Sequence, residues 1–228
     1  VTRAPDPAAE IGAGVLSRAA SVVHWLVVVE VLLVLTTVPA LVPVLLLAGD
    51  ASNAPLIGLC LVPLAPGLSA ALFAWRVFRA DRDLSPARHF WRGYRLNLLD
   101  VLRWWLPVLA LLTVVGLSLA SLGAAGVPTG YGVVLVLVAV FVLLFSAHAL
   151  VLSSALSLRT RDVARLALHY LAARPLSTLG VLSLLVTAAG IVALTSEGVL
   201  LLLASPLTLA LLRNADPVLR DAVERYTA

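Results

Sequence analysis

The sequence predicts an all-α membrane protein: a compact bundle of about six transmembrane helices with two cytoplasmic interfacial amphipathic helices. Three observations lead there. Hydrophobic residues fill 61% of the 228 positions and charged ones only 12%, giving a mean hydropathy of +1.06. A soluble domain is usually about 45–50% apolar and about 25% charged, and a chain this short has no core large enough to hide the excess. Several apolar runs reach the roughly 20 residues needed to cross hydrocarbon. Finally, the basic residues, all of them arginine, are confined to alternate segments between those runs.

Residues 1–19 read as a cytoplasmic N-terminal tail, 20–213 as the transmembrane domain and 214–228 as a cytoplasmic C-terminal helix. The first span begins near Ala20 and meets Pro39 and Pro43. The stretch from Leu41 to Ala48 is either a kinked continuation or a short interfacial piece, because proline frees backbone carbonyls that neighbours must satisfy. Gly49 to Asn53 is a polar turn. The second span, Pro55 to Trp75, is broken by Pro63 and Pro66. The third runs from Leu98 to Gly123, the fourth from Val133 to about Leu158, and the fifth from Pro175 to Thr195. Thr195 to Gly198 is a tight turn. The sixth span, Val199 to Leu212, is the weakest, short and interrupted by Pro206. Asp216 then reads as an N-cap and Pro217 as the first residue of a last helix in water or at the interface.

Arginine placement sets the orientation. Arg3 and Arg18 precede span one, Arg76 to Arg103 lie between spans two and three, Arg159 to Arg174 between spans four and five, and Arg213 to Arg225 after span six. The opposite loops carry only Asp50 and Glu197. The positive-inside rule puts both termini in the cytoplasm of a multi-pass protein of the bacterial cell membrane, and an odd number of crossings would carry one cluster outside. The five tryptophans, Trp25, Trp75, Trp91, Trp104 and Trp105, sit near the same side as an aromatic belt would.

Two basic segments read as helices lying under the bundle. Ser85-Pro86 is a helix start. Beyond it, Arg88, Arg92 and Arg95 fall on one face and Trp91, Tyr94 and Leu98 on the other. In residues 162–173, Asp162 caps, Val163, Leu166 and Tyr170 form an apolar stripe, and Arg165 and His169 face away. Both segments contain Arg-Asp, His-aromatic and Arg in that order, which is either a parallel repeat or chance similarity between two basic loops.

The stretch from Pro63 to Asp100 resembles the DUF624 (YesL-like) family of small bacterial membrane proteins. Pro66, Ala70, Ala71, Leu72 and Phe73 fit its turn into the second span. Phe90, Trp91, Tyr94, Arg95 and Asn97 fit its Phe-Trp-x-x-Tyr/Phe-Arg-x-Asn loop. The layout matches over residues 20–200, with departures: extra residues from Leu41 to Leu61, no aromatic-Pro pair in the fourth span, and Glu30 in place of Asn. The resemblance implies no established activity, but a role beside carbohydrate ABC uptake systems. A ferredoxin–NADPH reductase label that some members carry is contradicted by this chain, which has no Gly-x-Gly-x-x-Gly after a strand.

The chemistry of common enzymes is missing from the sequence. It has no Walker loop, no His-Glu-x-x-His and no Gly-x-Ser-x-Gly, and neither a metal site nor a cofactor is expected. Cys60 is alone in an apolar run and excludes a disulfide within the chain. Asp81 and Asp83, among arginines, read as a solvated ion-pair cluster. Arg88, Arg92, Arg95 and Arg165 are candidate contacts for anionic lipid or phosphate. Glu30 lies about ten residues into span one, roughly 15 Å deep, and His148 lies at a similar depth in span four. Ionisable groups there must be paired or wetted, so these two are the candidate intramembrane polar site, expected to face one another.

The expected function is therefore a non-enzymatic accessory or scaffold protein. Its partners are membrane lipids and either an ABC transporter permease or further copies of itself, with no nucleic acid. The alternative is a small secondary transporter or channel built around Glu30 and His148.

Overall fold

The structure, a computed structural model, describes residues 15–46, 53–80, 85–126, 128–156 and 158–226. Residues 1–14 of the expected tail, the polar turn at 49–52 and the Asp81/Asp83 cluster lie outside the described residues. Helices make up almost everything described, with no strand among them. Five helical segments are long and apolar enough to cross a membrane, spanning 19–44, 54–80, 86–123, 130–155 and 175–194.

Helix α1, Val15–Leu46, starts inside the expected tail and continues unbroken through Pro39 and Pro43. Of the two alternatives for the stretch after Pro39, the described part, residues 41–46, continues the helix. The second segment is two helices, α2 (Ala54–Cys60) and α3 (Leu64–Ala80), joined by a turn at 61–63. Pro63 and Pro66 lack the N–H groups a continuous helix would need. The break is tied to its neighbour: the Trp105 indole donates to the carbonyl of Leu61 at 3.2 Å.

Helix α4, Pro86–Ala125, corrects the sequence reading. Residues 86–97 are helical, as expected, but are not a separate helix lying under the bundle. Neither glycine nor proline lies between Tyr94 and Trp105, so the amphipathic segment runs straight into the third span. At 1.5 Å per residue α4 is about 60 Å long, twice the hydrocarbon thickness. Its faces also differ from the expected ones. Phe90, Gly93 and Val101 turn inward, while Trp91 is exposed alongside the arginines. Gly93 makes this possible: a Cβ there would come within 2.7 Å of Phe73, so only glycine lets α3 and α4 approach so closely. Asn97 adds a hydrogen bond to Ser69 at 3.1 Å.

After α5 (Thr129–Ala155) comes α6 (Thr160–Ala173), which does stand alone. Arg174 leaves helical geometry (φ −125°, ψ 68°) and Pro175 opens α7, Pro175–Leu194. Val163, Leu166 and Tyr170 are buried as the stripe predicts, and Arg165 and His169 are exposed. Asp162 does not cap; the helix begins two residues earlier, placing Asp162 in its first turn.

The sixth segment is broken into α8 (Glu197–Leu202) and α9 (Ala204–Asn214), and neither half alone is long enough to cross. Ser196 caps α8, accepting from the N–H of Val199. The end of α9 returns to the start of α7. There the Ser177 hydroxyl donates to the Asn214 carbonyl at 2.9 Å and the Asn214 amide donates to the Ser177 carbonyl at 2.7 Å. Helix α10, Asp216–Tyr226, packs on the bundle instead of lying free, burying Val218 and Ala222.

The core collects at the basic end. Trp25 and Trp75 are fully buried, with ring centroids 6.1 Å apart, and Phe78 lies 4.8 Å from Trp25. Trp104 and Trp105 are buried as well. Four of the five tryptophans therefore face protein instead of forming a belt against lipid; Trp91 alone is exposed.

Candidate functional site

Glu30 sits on the inner side of α1, half-buried. Its Oε2 accepts a hydrogen bond from the N–H of Ser205 at 2.7 Å, and the N–H of Ala204 also addresses the carboxylate. These are the first two donors of α9. The start of a helix leaves four N–H groups without intrahelical partners, and in apolar surroundings each one left open is costly. Here the four can be followed one by one. Leu203 donates to the Leu200 carbonyl at 3.1 Å, Ala204 faces the Glu30 carboxylate, Ser205 donates to it, and Pro206 has no N–H. A carboxylate borrowed from α1 thus completes a helix that begins inside the bundle, and the negative charge suits the positive end of the helix dipole. Glu30 Oε1 and the Ser205 hydroxyl are buried there without hydrogen-bond partners.

His148, on α5, is 4% exposed. Its Nδ1 lies 3.0 Å from the carbonyl of Leu144 one turn back, and Nε2 has no partner. It borders a cavity of about 10 Å³ shared with Ser177, Val181, Leu211, Ala215 and Val218, room for a single water at most.

Glu30 and His148 do not hydrogen-bond to each other. Glu30 serves the first turn of α9, whereas His148 lies beside Leu211 near its end, about 9 Å further along the axis. The similar depth expected from the sequence does not hold, and rotation about the helix axes was not legible either. An apolar helix such as α5 has no polar side to fix which way His148 turns.

The arginine candidates separate. Arg88, Arg92 and Arg95 share the exposed face of α4 with Trp91 and make no ion pair among the described residues. Arg165 is exposed on α6, a different element.

A second polar cluster went unforeseen. Arg79 at the end of α3 makes a two-pronged pair with Asp216, both contacts 2.6 Å. Asp221 on α10 accepts from the Tyr170 hydroxyl at 2.9 Å and from Arg174 at 3.1 Å, with Arg225 at 3.2 Å. The Tyr170 hydrogen bond first, then the charges of Arg225 and Arg174, hold the Asp221 carboxyl below its ordinary range despite some desolvation. Arg76 donates to the carbonyl of Ser154 at 2.9 Å. Together these contacts bring the ends of α3 and α5, the junction of α6 and α7, and α10 to one end of the bundle. The sequence signal was only a last helix carrying Asp216, Asp221 and Glu224 beside two arginines, which names no partner.

Among the described residues no three His, Cys, Asp or Glu side chains come together to hold a metal ion. No family model, curated protein or solved structure matches this chain.

Proposed function

We propose that this chain is a non-enzymatic accessory or scaffold protein of the bacterial plasma membrane, working beside a carbohydrate ABC uptake system. In this reading it crosses six times and keeps both termini in the cytoplasm. The return of Asn214 to Ser177 supports the sixth crossing, since α8 and α9 together retrace the length of α7. The gathering of arginine-bearing ends around Arg76, Arg79 and Arg174 supports the orientation.

The observation that carries the accessory role is the employment of Glu30. The one acid deep in span one is committed to capping α9, and the cavity at His148 has no room for a solute. The sugar-uptake setting rests on the resemblance of the Pro66–Phe73 and Phe90–Asn97 patches to the DUF624 family. One observation favours the transporter or channel reading instead: Glu30 Oε1 and His148 Nε2 are both buried in the bundle without hydrogen-bond partners.

Gentle solubilisation of a tagged chain from its own membranes is the test. An ABC permease should copurify, and the purified chain in liposomes should carry no proton flux. Substrate-dependent flux that Glu30→Gln abolishes would replace this reading with the second. A chain that purifies alone and carries no flux would leave neither standing.

A further inference from the structure

The exposed face of α4 mixes two kinds of residue that seldom share a side. Arg88, Trp91, Arg95 and Leu99, and beside them Arg92 and Leu96, are linked at spacings of three and four, so all six lie on one stripe. Trp91 is 39% exposed, Leu96 59% and Leu99 65%. The first five of them, with His89, border an open concavity. The arginines have no acidic partner among the described residues.

The level of the stripe follows from the helix it runs beside. Gly93 packs on Phe73, close to Arg76 at the basic end of α3. Asn97 bonds Ser69, well within the second apolar segment. The stripe therefore passes from the arginine-bearing end of the bundle into its apolar flank, with its charges first and its two leucines last. A watery partner would leave both leucines uncovered, and hydrocarbon alone would leave three guanidinium groups unsolvated.

We propose that this stripe binds anionic phospholipid of the leaflet at the arginine-bearing end of the bundle. Phosphate groups take bidentate hydrogen bonds from Arg88, Arg92 and Arg95. Trp91 sits at the boundary between headgroup and chain, and Leu96 and Leu99 lie against the acyl chain. The arginine stems lie along the apolar surface while their heads reach the phosphate. The inference rests on the membrane assignment but not on the accessory role, so copurification with a permease has no bearing on it.

Trp91 provides the reporter, because the other four tryptophans are buried. The full chain is reconstituted in phosphatidylcholine vesicles containing either phosphatidylglycerol or further phosphatidylcholine with brominated acyl chains. Quenching of tryptophan fluorescence should favour brominated phosphatidylglycerol, and Trp91→Phe should remove most of the effect. Replacing Arg88, Arg92 and Arg95 by Gln should reduce the preference about fivefold per arginine; replacing them by Lys should keep part of it. Exchanging the exposed Arg161, Arg213 and Arg220 for Gln should leave it intact. The idea is overturned by equal quenching from both lipids in the unaltered chain, or by equal loss in the two glutamine triples. Displacement of the lipid by glycerol phosphate in solution would overturn it too, by pointing to a soluble anion.

Discussion

The carboxylate of Glu30 and the backbone N–H of Ser205 meet at 2.7 Å although 175 residues separate them. This contact joins the first long helix to the last apolar segment. Removing the acceptor strands the buried Ser205 N–H, which costs about 1–3 kcal/mol. Glu30→Leu should therefore lower thermal stability in detergent by that order, whereas Glu30→Gln, which keeps a carbonyl oxygen, should lose less than half as much. Equal melting temperatures for the leucine variant and the unaltered chain would show that the contact does not hold α9.

The approach of α3 to α4 through Gly93 gives a sharper contrast between two glycines. Gly93→Ala drives a methyl group into the Phe73 side chain, and overpacking of this kind costs about 1–3 kcal/mol. Gly116 lies in the same helix with nothing near its missing Cβ. Gly116→Ala should be neutral or stabilising by up to about 1 kcal/mol, from helix propensity alone. Thermal unfolding of both variants side by side decides it; a harmless Gly93→Ala would mean the helices are not in close contact there.

Acid should loosen α10. The Asp221 carboxyl is held below its usual range by the Tyr170 hydroxyl and by Arg225 and Arg174. A depressed carboxylate contributes stability that is fully present above its unfolded pKa, about 3.9, and lost as pH falls through the lower folded value. Protection of the 216–226 amides from hydrogen exchange should thus be flat from pH 7 to about pH 5 and fall below about pH 4. Asp221→Asn should show weaker protection at neutral pH and a shallower acid decline. A decline of unchanged depth in that variant would assign the effect to other groups.

Topology is open to labelling. With Cys60 replaced, single cysteines at positions 51 and 126 should react with an impermeant maleimide from outside intact cells. Cysteines at 88 and 165 should react only after permeabilisation. External reaction at 165 would contradict six crossings with both termini inside.

How much of this was written in the sequence depends on what decides each feature. Apolar length fixes the spans, and the stripe of Val163, Leu166 and Tyr170 fixes the inner face of α6, because both are local. The faces of α4 depend on Gly93 and Phe73, which come from different helices. Trp91, Tyr94 and Leu98 looked like an inner stripe because aromatic residues are usually better buried than arginines. The closeness that glycine permits turned Phe90 and Val101 inward and left Trp91 outside. Glu30 was recognisable as exceptional, but its partner was not. A backbone N–H has no side-chain identity to search for, and the break before Ala204 is visible only once α9 is placed. The pairs Arg79–Asp216 and Arg174–Asp221 are equally long-range, and in sequence they look like any positive-inside charges.

The capping of α9 by α1 sets an order for assembly during synthesis. Helix α1 leaves the ribosome long before Ser205 exists, so its acid must wait at the membrane interior without its donors. It can be tolerated there protonated, or held where water still reaches it. Helices α8 and α9, for their part, are too short and too interrupted to insert as an independent unit, and they need a receptor already in place. The later helices thus repair a defect left by the first, and a chain stopped before Ser205 keeps an unmatched acid on α1.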